Sequence, residues 1–236
     1  MTIPKIIHYC WLSGDPFSEL AQKCIASWHK AMPDYTYILW DRERVKEISN
    51  KWIDGAINAK KWAFAADYIR LYSLCKYGGI YLDCDVEVLK PFDNLLNQEC
   101  FLGREGHKNV VEAAVMGSSP NQDWTKKALD WYSDRNFDVT QLNNPSIAVP
   151  FILKKILNDY PNIRLLPAEY FSPKDNRTGE INITSNTYAI HHFDGNWHSD
   201  YQREYFRIRV EYSKKLGSLV GLIIATLFSI KHKLER

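Results

Sequence analysis

Two aspartates one residue apart, Asp83 and Asp85, have the residue types and spacing for metal chemistry. They follow the short apolar run Ile80-Tyr81-Leu82, which predicts a buried strand that ends at the acids. Because side chains alternate along a strand, two carboxylates separated by one residue point to the same side. Oxygen pairs of this kind suit Mg²⁺ or Mn²⁺, and such ions in turn hold phosphate oxygens. The pattern predicts a metal site at the carboxyl end of a strand, where open α/β sheets bind ligands.

A second pair of chemical groups precedes this strand. Asp67 and Arg70 are three residues apart on a helix predicted over residues 62–77, so they share a face of it. The carboxylate could accept hydrogen bonds from sugar or ribose hydroxyls, and the guanidinium could grip a diphosphate oxygen by its fork. The alternative is a surface ion pair that contributes little to stability.

A late segment combines histidines with acidic, amide and aromatic residues, from His191 through Asp194 to His198. Strand alternation sends His191 and His192 to opposite faces, so at most one of them is expected to point into a given site. We predict that His192 contacts a metal or phosphate. The alternative is a structural histidine.

Trp11 stands at the end of the first predicted strand, just before the turn Ser13-Gly14-Asp15-Pro16. An aromatic ring in this place could stack on a nucleobase, since every base offers a π-face. The alternative is a core tryptophan at the edge of the sheet.

The elements that must position these groups follow a β-α-β order. A strand over residues 5–12 is followed by a helix that Ser18 could cap and by a strand over residues 35–40, which favours a parallel sheet with helices on its faces. The segment 43–58 is predicted to be helical but broken near Asp54-Gly55. Gly78-Gly79 should end the helix before the aspartates with a left-handed cap. Further strands are predicted at 86–89, 110–116 and 188–193, and further helices at 124–133 and 147–158. We expect one α/β domain over residues 1–202 and a helical tail over 203–236.

Composition narrows the function classes. The net charge of +2 over 236 residues gives no reason to expect nucleic acid as a partner. The five cysteines include no C-x-x-C pair, which argues against a disulfide framework and a zinc knuckle. The sequence contains no P-loop, dinucleotide or nucleophile-elbow motif. The start of the chain shows no signal-peptide core, so we expect a cytoplasmic protein.

The tail is basic and apolar at once. Residues 203–236 carry eight basic and three acidic side chains, a net charge of +5, around the apolar segment 216–230. This segment is shorter than the ~20 residues of a spanning helix, and its cationic flanks suit a helix that lies in an anionic membrane interface. We therefore expect a peripheral protein on the inner face of the cytoplasmic membrane. The alternatives are a buried terminal helix and a contact with another subunit.

Three stretches together resemble a known family: Ile3 to Trp11, Ala66 to Arg70, and Lys76 to Asp85. They are similar to the sugar-binding D-x-D region of family 32 glycosyltransferases, which include bacterial capsule and exopolysaccharide transferases, and to the glucosyltransferase domain of the large clostridial toxins. The similarity returns at 169–174 and at 189–192.

The resemblance implies a GT-A type fold with a mostly parallel central sheet, a nucleoside-diphosphate sugar donor (UDP-linked by analogy with bacterial relatives), a divalent cation, usually Mn²⁺, and retention of anomeric configuration. It assigns stacking on the donor base to Trp11, and donor-sugar contacts to Asp67 and Arg70. Asp83 would contact the ribose and the sugar or metal, and Asp85 would ligate the metal. His192 with Gly195 resembles the late H-x-x-G of retaining transferases, where the histidine binds metal.

One departure concerns the diphosphate clamp. Related enzymes place Lys-Pro before the late tryptophan, whereas Asn196 precedes Trp197 here. We expect His198 or Arg70 to substitute, with Trp197 and His198 among the donor-binding residues.

The resulting hypothesis is transfer of a hexose to a glycan or lipid-linked glycan in surface polysaccharide synthesis. The alternatives are a metal-dependent hydrolase or phosphoesterase and an inactive sugar-nucleotide-binding protein of the same fold.

Overall fold

The computed structural model describes residues 2–48, 50–106, 110–142, 144–195 and 200–234. The strands are β1 (Ile6–Cys10), β2 (Thr36–Trp40), β3 (Gly79–Leu82), β4 (Val86–Val88), β5 (Cys100–Arg104), β6 (Val111–Ser118) and β7 (Ala189–His191). The helices are α1 (Glu19–Ala31), α2 (Arg42–Val45), α3 (Lys51–Asn58), α4 (Trp62–Tyr77), α5 (Asp123–Ser133), α6 (Val149–Ile156), α7 (Asp200–Leu216) and α8 (Ser218–Leu234). Short 3-10 turns lie between several of them.

Within the described residues, the central sheet has the strand order β2-β1-β3-β6-β5. β1 pairs in parallel with β2 and with β3, while β6 runs antiparallel to both β3 and β5. β2, β1, β3 and β5 therefore point the same way and β6 points the other way. The prediction of an α/β fold with a mostly parallel sheet is confirmed. A separate two-stranded sheet joins β4 to β7.

Helices cover both faces of the sheet, as the alternation along β3 shows. Ile80 and Leu82 pack into the core cluster that contains Trp28 of α1. Tyr81, between them in sequence, packs into the cluster formed with α4, α5 and α6. Since both faces are buried, β3 is a continuous apolar run, and Asp83 follows immediately at its carboxyl end.

The predicted helix signals at α1 and α4 correspond to local hydrogen bonds and backbone angles. The Ser18 hydroxyl accepts a hydrogen bond from the Ala21 amide at the start of α1. Gly78, with φ of 66°, ends α4. Gly79 has a further reason to be glycine, because a Cβ there would lie 2.6 Å from the Ile6 carbonyl oxygen of β1. The glycine pair thus lets β3 approach β1 closely.

One expectation about the helices needs correction, and the predicted helical tail is confirmed as two helices. The segment 43–58 is not broken near Asp54-Gly55, because both residues lie inside α3; the break comes earlier, where the described residues 46–48 and 50 separate α2 from α3. Asn50 caps the new helix, since its side-chain oxygen accepts from the amides of Trp52 and Ile53. In the tail, Gly217 (φ 92°) divides the helical segment into α7 and α8, which pack together as a hairpin. None of the helices in the described ranges is long and apolar enough to cross a bilayer.

His8 gives the fold a pH-dependent element in the middle of β1. Its side chain is buried, its Nε2 lies 2.9 Å from the Gly78 carbonyl oxygen, and the Trp40 indole N–H donates to its Nδ1 over 3.2 Å. Because a carbonyl can only accept and an indole N–H can only donate, the imidazole is neutral with its proton on Nε2. Burial, aided by the positive charge of Arg44, lowers the pKa of His8 to about 4.

Acidification is therefore expected to destabilise the protein through His8. The unfolded histidine takes up a proton near its ordinary pKa of about 6.5, while the folded one does not until about pH 4. Stability is thus retained above pH 6.5 and lost as the pH falls toward 4, by about 2 kcal/mol between pH 7 and pH 5. Urea unfolding at the two pH values measures this loss. His8→Gln should lack it, and the exposed control His29→Gln should keep it. Equal pH dependence in wild type and His8→Gln would contradict the assignment.

Candidate functional site

Asp83 and Asp85 lie where β3 leaves the central sheet. The Asp83 amide still bonds the Ala114 carbonyl of β6 over 2.9 Å, which extends the β3–β6 pairing by one residue. Cys84 and Asp85 then form a turn, closed by a 3.0 Å hydrogen bond from the Val86 amide to the Asp83 carbonyl. The turn redirects the chain into β4, so the aspartates occupy the predicted carboxyl end of a strand.

The pairing of β4 with β7 brings a histidine to these aspartates. Val86 lies opposite His191 in the antiparallel register. The His191 Nε2 is 3.5 Å from the Asp85 carboxylate. One ligand atom each of Asp83, Asp85 and His191 lie within 4.8 Å of one another, a donor set of two oxygens and one imidazole nitrogen. This set fits Mn²⁺ or Mg²⁺, which prefer carboxylate ligands and leave room for phosphate oxygens.

A buried carboxylate holds the other side of the His191 ring. Glu112 of β6 lies 3.1 Å from Nδ1, and its own carboxylate also accepts the Ala114 amide over 3.0 Å. A ring that donates through Nδ1 presents Nε2 to a metal, the usual arrangement of a ligand histidine with an orienting carboxylate. Glu112 is thus part of the site although the sequence analysis did not select it. The available signal was a single acid inside the apolar strand predicted at 110–116.

Asp85, Glu112 and the His191 ring between them shift one another's pKa values. Burial alone would favour neutral groups, but the His191 imidazolium lowers the pKa of both Asp85 and Glu112. Conversely, burial opposes the charged histidine, yet the two carboxylates raise the pKa of His191 well above its ordinary value. The Asp194 amide also donates to Asp85 over 2.9 Å, which stabilises the ionised carboxylate further. Without an ion the His191 ring is therefore protonated and the acids are ionised, and binding of a cation at Nε2 would release the proton held there.

Asp67 and Arg70 lie beneath the Asp83–Asp85–His191 cluster, with only 11% and 6% of their side chains exposed. Arg70 donates to the Asp83 carboxylate over 3.2 Å and to the Ala113 carbonyl over 2.7 Å, and its guanidinium lies over the Tyr81 ring. Tyr81 in turn donates to the other Asp83 oxygen over 3.0 Å. Asp83 is therefore fixed by two donors, and the surface ion-pair alternative is wrong for this pair.

Asp67 links α4 to α6. One of its oxygens is 3.2 Å from Arg70 Nη2, and the other accepts the Val149 amide at the start of α6 over 3.1 Å. Burial raises the pKa of Asp67 to about 6, against the opposing charge of Arg70. The donor-sugar contacts predicted for Asp67 and Arg70 stay predictions. The structure shows Arg70 in contact with Asp83 and Asp67 in contact with α6.

The prediction for His192 needs correction in its geometry. Its Nε2 lies 2.9 Å from the Glu87 carboxylate, which is also paired with Lys23. The His192 amide donates to the Asp85 carbonyl over 3.0 Å, but its ring contacts Glu87 and not the two aspartate carboxylates. His191 takes the place expected for it. The two histidines do point to different partners, as strand alternation predicts, but the choice between them was wrong: the pairing of β4 with β7 brings His191 and not His192 to Asp85.

Three further residues were predicted to bind the donor: Trp11, Trp197 and His198. Trp11 follows β1 and is half-buried, with its indole N–H bonded to the Asp15 carbonyl over 2.7 Å and its ring against Phe17. Base stacking by Trp11 stays a prediction. Trp197 and His198 lie outside the described residues, as does Asn196.

Lys174 also borders the site, although its residue type and spacing alone did not predict a role for it. The Lys174 ammonium donates to the His192 carbonyl, and its pKa is lowered by burial, with the charge of Asp85 opposing. Lys174 is thus a half-buried lysine beside the acidic cluster. Its signal was its place in the stretch 169–174, which shares the family resemblance.

The neighbouring histidines allow a direct test of the cluster. His191→Gln should weaken Mn²⁺ binding at least about tenfold, because a glutamine cannot present an imidazole nitrogen to the ion. His192→Gln is the matched control and should leave the affinity unchanged, since that ring contacts Glu87. Isothermal titration with Mn²⁺ measures both. A loss in His192→Gln with none in His191→Gln would restore the original prediction.

Comparison with known proteins finds similarity to a sugar-binding glycosyltransferase region and to a protein named for a mannosyl product. Residues 18–102 match the family described as "Glycosyltransferase sugar-binding region containing DXD motif". Mannosyl phosphorylinositol ceramide synthase of Saccharomyces cerevisiae is 33% identical over 172 residues, which covers 69% of this chain and 44% of that protein. The chain thus spans less than half the length of this curated relative.

Two solved structures share the fold. The PaToxG glycosyltransferase matches with a TM-score of 0.55 and 20% identity over 67% of this chain and 70% of its own. The glycosyltransferase GlyE of Streptococcus pneumoniae, in its apo form, matches with a TM-score of 0.52 and 13% identity over 96% of this chain and 64% of its own. The expected GT-A type fold is confirmed, and so is the relationship to proteins named as glycosyltransferases.

Proposed function

We propose that this chain is a metal-dependent glycosyltransferase of the family 32 type. It would move a hexose from a nucleoside-diphosphate sugar to a hydroxyl of a glycan or lipid-linked glycan. The observation that carries the proposal is the Asp83–Asp85–His191 cluster at the end of β3, whose two aspartates lie inside the region that matches the sugar-binding family. A fold with the same strand arrangement but without such a cluster would not support it.

Asp83, Asp85 and His191 would hold the divalent ion. When bound, such an ion neutralises negative charge on the departing diphosphate. The protein's own contribution is preorganisation, which lowers the cost of arranging charges during the reaction. Arg70 and Tyr81 fix the two oxygens of Asp83, the Asp194 amide fixes Asp85, and Glu112 fixes the His191 ring.

Lys174 supplies a second source of positive charge in this proposal. Its ammonium lies beside the acidic cluster, where it could contact a diphosphate oxygen and replace the basic clamp that the sequence lacks. Asp67 supports the site from below, because it pairs with Arg70 and holds the first amide of α6. The described side chains around the cluster thus separate into ion ligands and groups that orient them.

The hexose and the acceptor are the finer parts of the proposal. The name of the yeast relative contains both a mannosyl group and a ceramide lipid. We therefore include mannose with glucose and galactose as donor sugars and favour a lipid-linked acceptor. Retention of anomeric configuration is proposed from the family resemblance, and the one-bond C1–H1 coupling constant of the product's anomeric centre, compared with that of the donor, tests it.

A thermal-shift screen tests the proposal as a whole. UDP, GDP and their hexose conjugates are offered with and without Mn²⁺. Nucleotide and metal together should raise Tm by about 5 °C or more at saturation, because a ligand that binds the folded state stabilises it. The conjugate with the largest shift should then release its nucleoside diphosphate slowly when no acceptor is present.

The outcomes separate the competing functions. A shift with donor release supports the transferase, and the responding nucleotide decides between UDP-linked and GDP-linked donors. A shift without release, even with acceptor glycolipids added, would favour an inactive binding protein. Cleavage of simple phosphoesters with no response to nucleotides would favour the hydrolase and overturn the proposal.

A further inference from the structure

The outer face of α8 is apolar and exposed. Leu219 and Leu227 leave 69% and 60% of their surface in solvent. The exposed apolar side chains of this face and of the preceding turn are Leu216, Leu219, Leu222, Ile223, Leu227 and Ile230. Their spacing of three and four residues places them along one side of the helix. Continuous exposed apolar surface of this kind marks an interaction site.

The opposite face of α8 holds the hairpin together, so the exposed face is not needed for folding. A Cβ on Gly221 would lie 2.6 Å from the Arg209 carbonyl oxygen, and Ala225 is completely buried. The Tyr201 ring of α7 stacks on His232, with centroids 4.3 Å apart, and its hydroxyl bonds Ser229. Small residues let the two helices approach closely, while the large apolar side chains point away from α7.

Positive charge borders this apolar face at both ends. Lys214 and Lys215 lie at the end of α7 beside the Gly217 turn, and Lys231 lies near the end of α8. Lys215 is paired with Glu211, an exposed pair that leaves the local excess of positive charge in place. Residues 203–236 carry a net charge of +5. The aromatic side chains of Tyr201, Tyr205 and Phe206 line a shallow groove beside the same face.

From this geometry we infer that the α7–α8 hairpin docks on an anionic membrane surface, with the outer face of α8 in the headgroup region. Apolar side chains flanked by lysines, with aromatic rings nearby, match that interface. A second copy of the chain fits less well, because two such faces would bring like charges together. The inference does not depend on the proposed function.

Docking of the hairpin would bring the Asp83–Asp85–His191 cluster toward the membrane surface. α7 begins nine residues after His191, a stretch that spans at most roughly 30 Å even when fully extended. The start of the hairpin therefore lies within that distance of His191.

Co-sedimentation of the full chain with vesicles tests the inference. The wild type should bind phosphatidylcholine vesicles that contain phosphatidylglycerol and should bind pure phosphatidylcholine vesicles weakly. The double substitution Leu219→Asp with Leu227→Asp should reduce binding to the anionic vesicles at least about tenfold, because it places negative charge on the exposed face that would enter the headgroup region. Val139→Asp, the same change at an exposed apolar side chain between α5 and α6, is the control and should bind like wild type.

Two results would overturn the inference. One is equal binding of the wild type and the double variant to anionic vesicles. The other is a lipid-free dimer, detected by analytical ultracentrifugation, that the double variant abolishes, because that would assign the face to a second copy. Nucleotide and Mn²⁺ thermal shifts are measured on the same variants. They should be unchanged in the double variant, so a failure of docking is distinguished from a failure of the proposed function.

Discussion

Asp85→Asn is expected to reduce donor turnover on the order of 10³-fold while the protein remains folded. Asp85 belongs to the Asp83–Asp85–His191 cluster, where its carboxylate lies 3.5 Å from the His191 ring and accepts a hydrogen bond from the Asp194 amide. The asparagine has nearly the same shape and can still accept the Asp194 amide, so the turn should keep its conformation. It cannot supply the negative charge that holds a divalent ion, and that ion accounts for several kcal/mol of barrier lowering in comparable reactions.

Steady-state release of nucleoside diphosphate at saturating Mn²⁺ and donor measures this effect. Glu87→Gln is the matched control, since it removes the same charge two residues later, within β4, from a carboxylate that contacts Lys23 and His192. The control should keep turnover within about twofold of wild type. Wild-type turnover by Asp85→Asn, with circular dichroism showing a folded protein, would contradict the assigned role of the cluster.

The sequence predicted the frame of this site because its signals are local. The Gly78-Gly79 pair, the apolar run of β3 and the two aspartates are consecutive, so their order alone places the acids at a strand end. The β-α-β opening and the Ser18 cap are equally local features. Each depends on steric or hydrogen-bonding preferences that act over a few residues.

The ligand shell was harder to predict because it depends on long-range pairing. Whether His191 or His192 faces Asp85 is decided by the register of β4 against β7, about a hundred residues apart in sequence, and by the turn at Asp85. A slip of one residue would exchange the two rings. Glu112 was missed for a related reason. Its role as the partner of a histidine follows only from its contact with His191, which is distant in sequence.

Arg70 shows that one residue can serve stability and site geometry together. Its guanidinium contacts Asp67, Asp83 and the Ala113 carbonyl while it covers the Tyr81 ring. These partners come from α4, from the end of β3 and from β6. The same contacts that hold Asp83 in its orientation therefore join three parts of the core. Sequence spacing indicated the Asp67–Arg70 pair, but the link to β6 could be found only from the fold.

Arg70→Met is accordingly expected to lower the free energy of unfolding by about 3–5 kcal/mol at pH 8, because it leaves two largely buried carboxylates without their cation. The loss should be smaller at pH 5. The pKa of Asp67 is already raised to about 6 by burial, and removal of the guanidinium raises it further, so the carboxyl takes up a proton in the acidic buffer and no longer carries an unpaired charge.

Urea unfolding of wild type and variant at pH 8 and pH 5 measures both parts of this expectation. Arg135→Met is the matched control, an exposed arginine near the end of α5 that lies over the Trp131 ring and bonds its carbonyl. Its loss should cost less than about 1 kcal/mol at either pH, since no buried charge is left behind. A pH-independent penalty in Arg70→Met would mean that lost packing on Tyr81, and not the uncompensated Asp67 and Asp83, is what destabilises the protein.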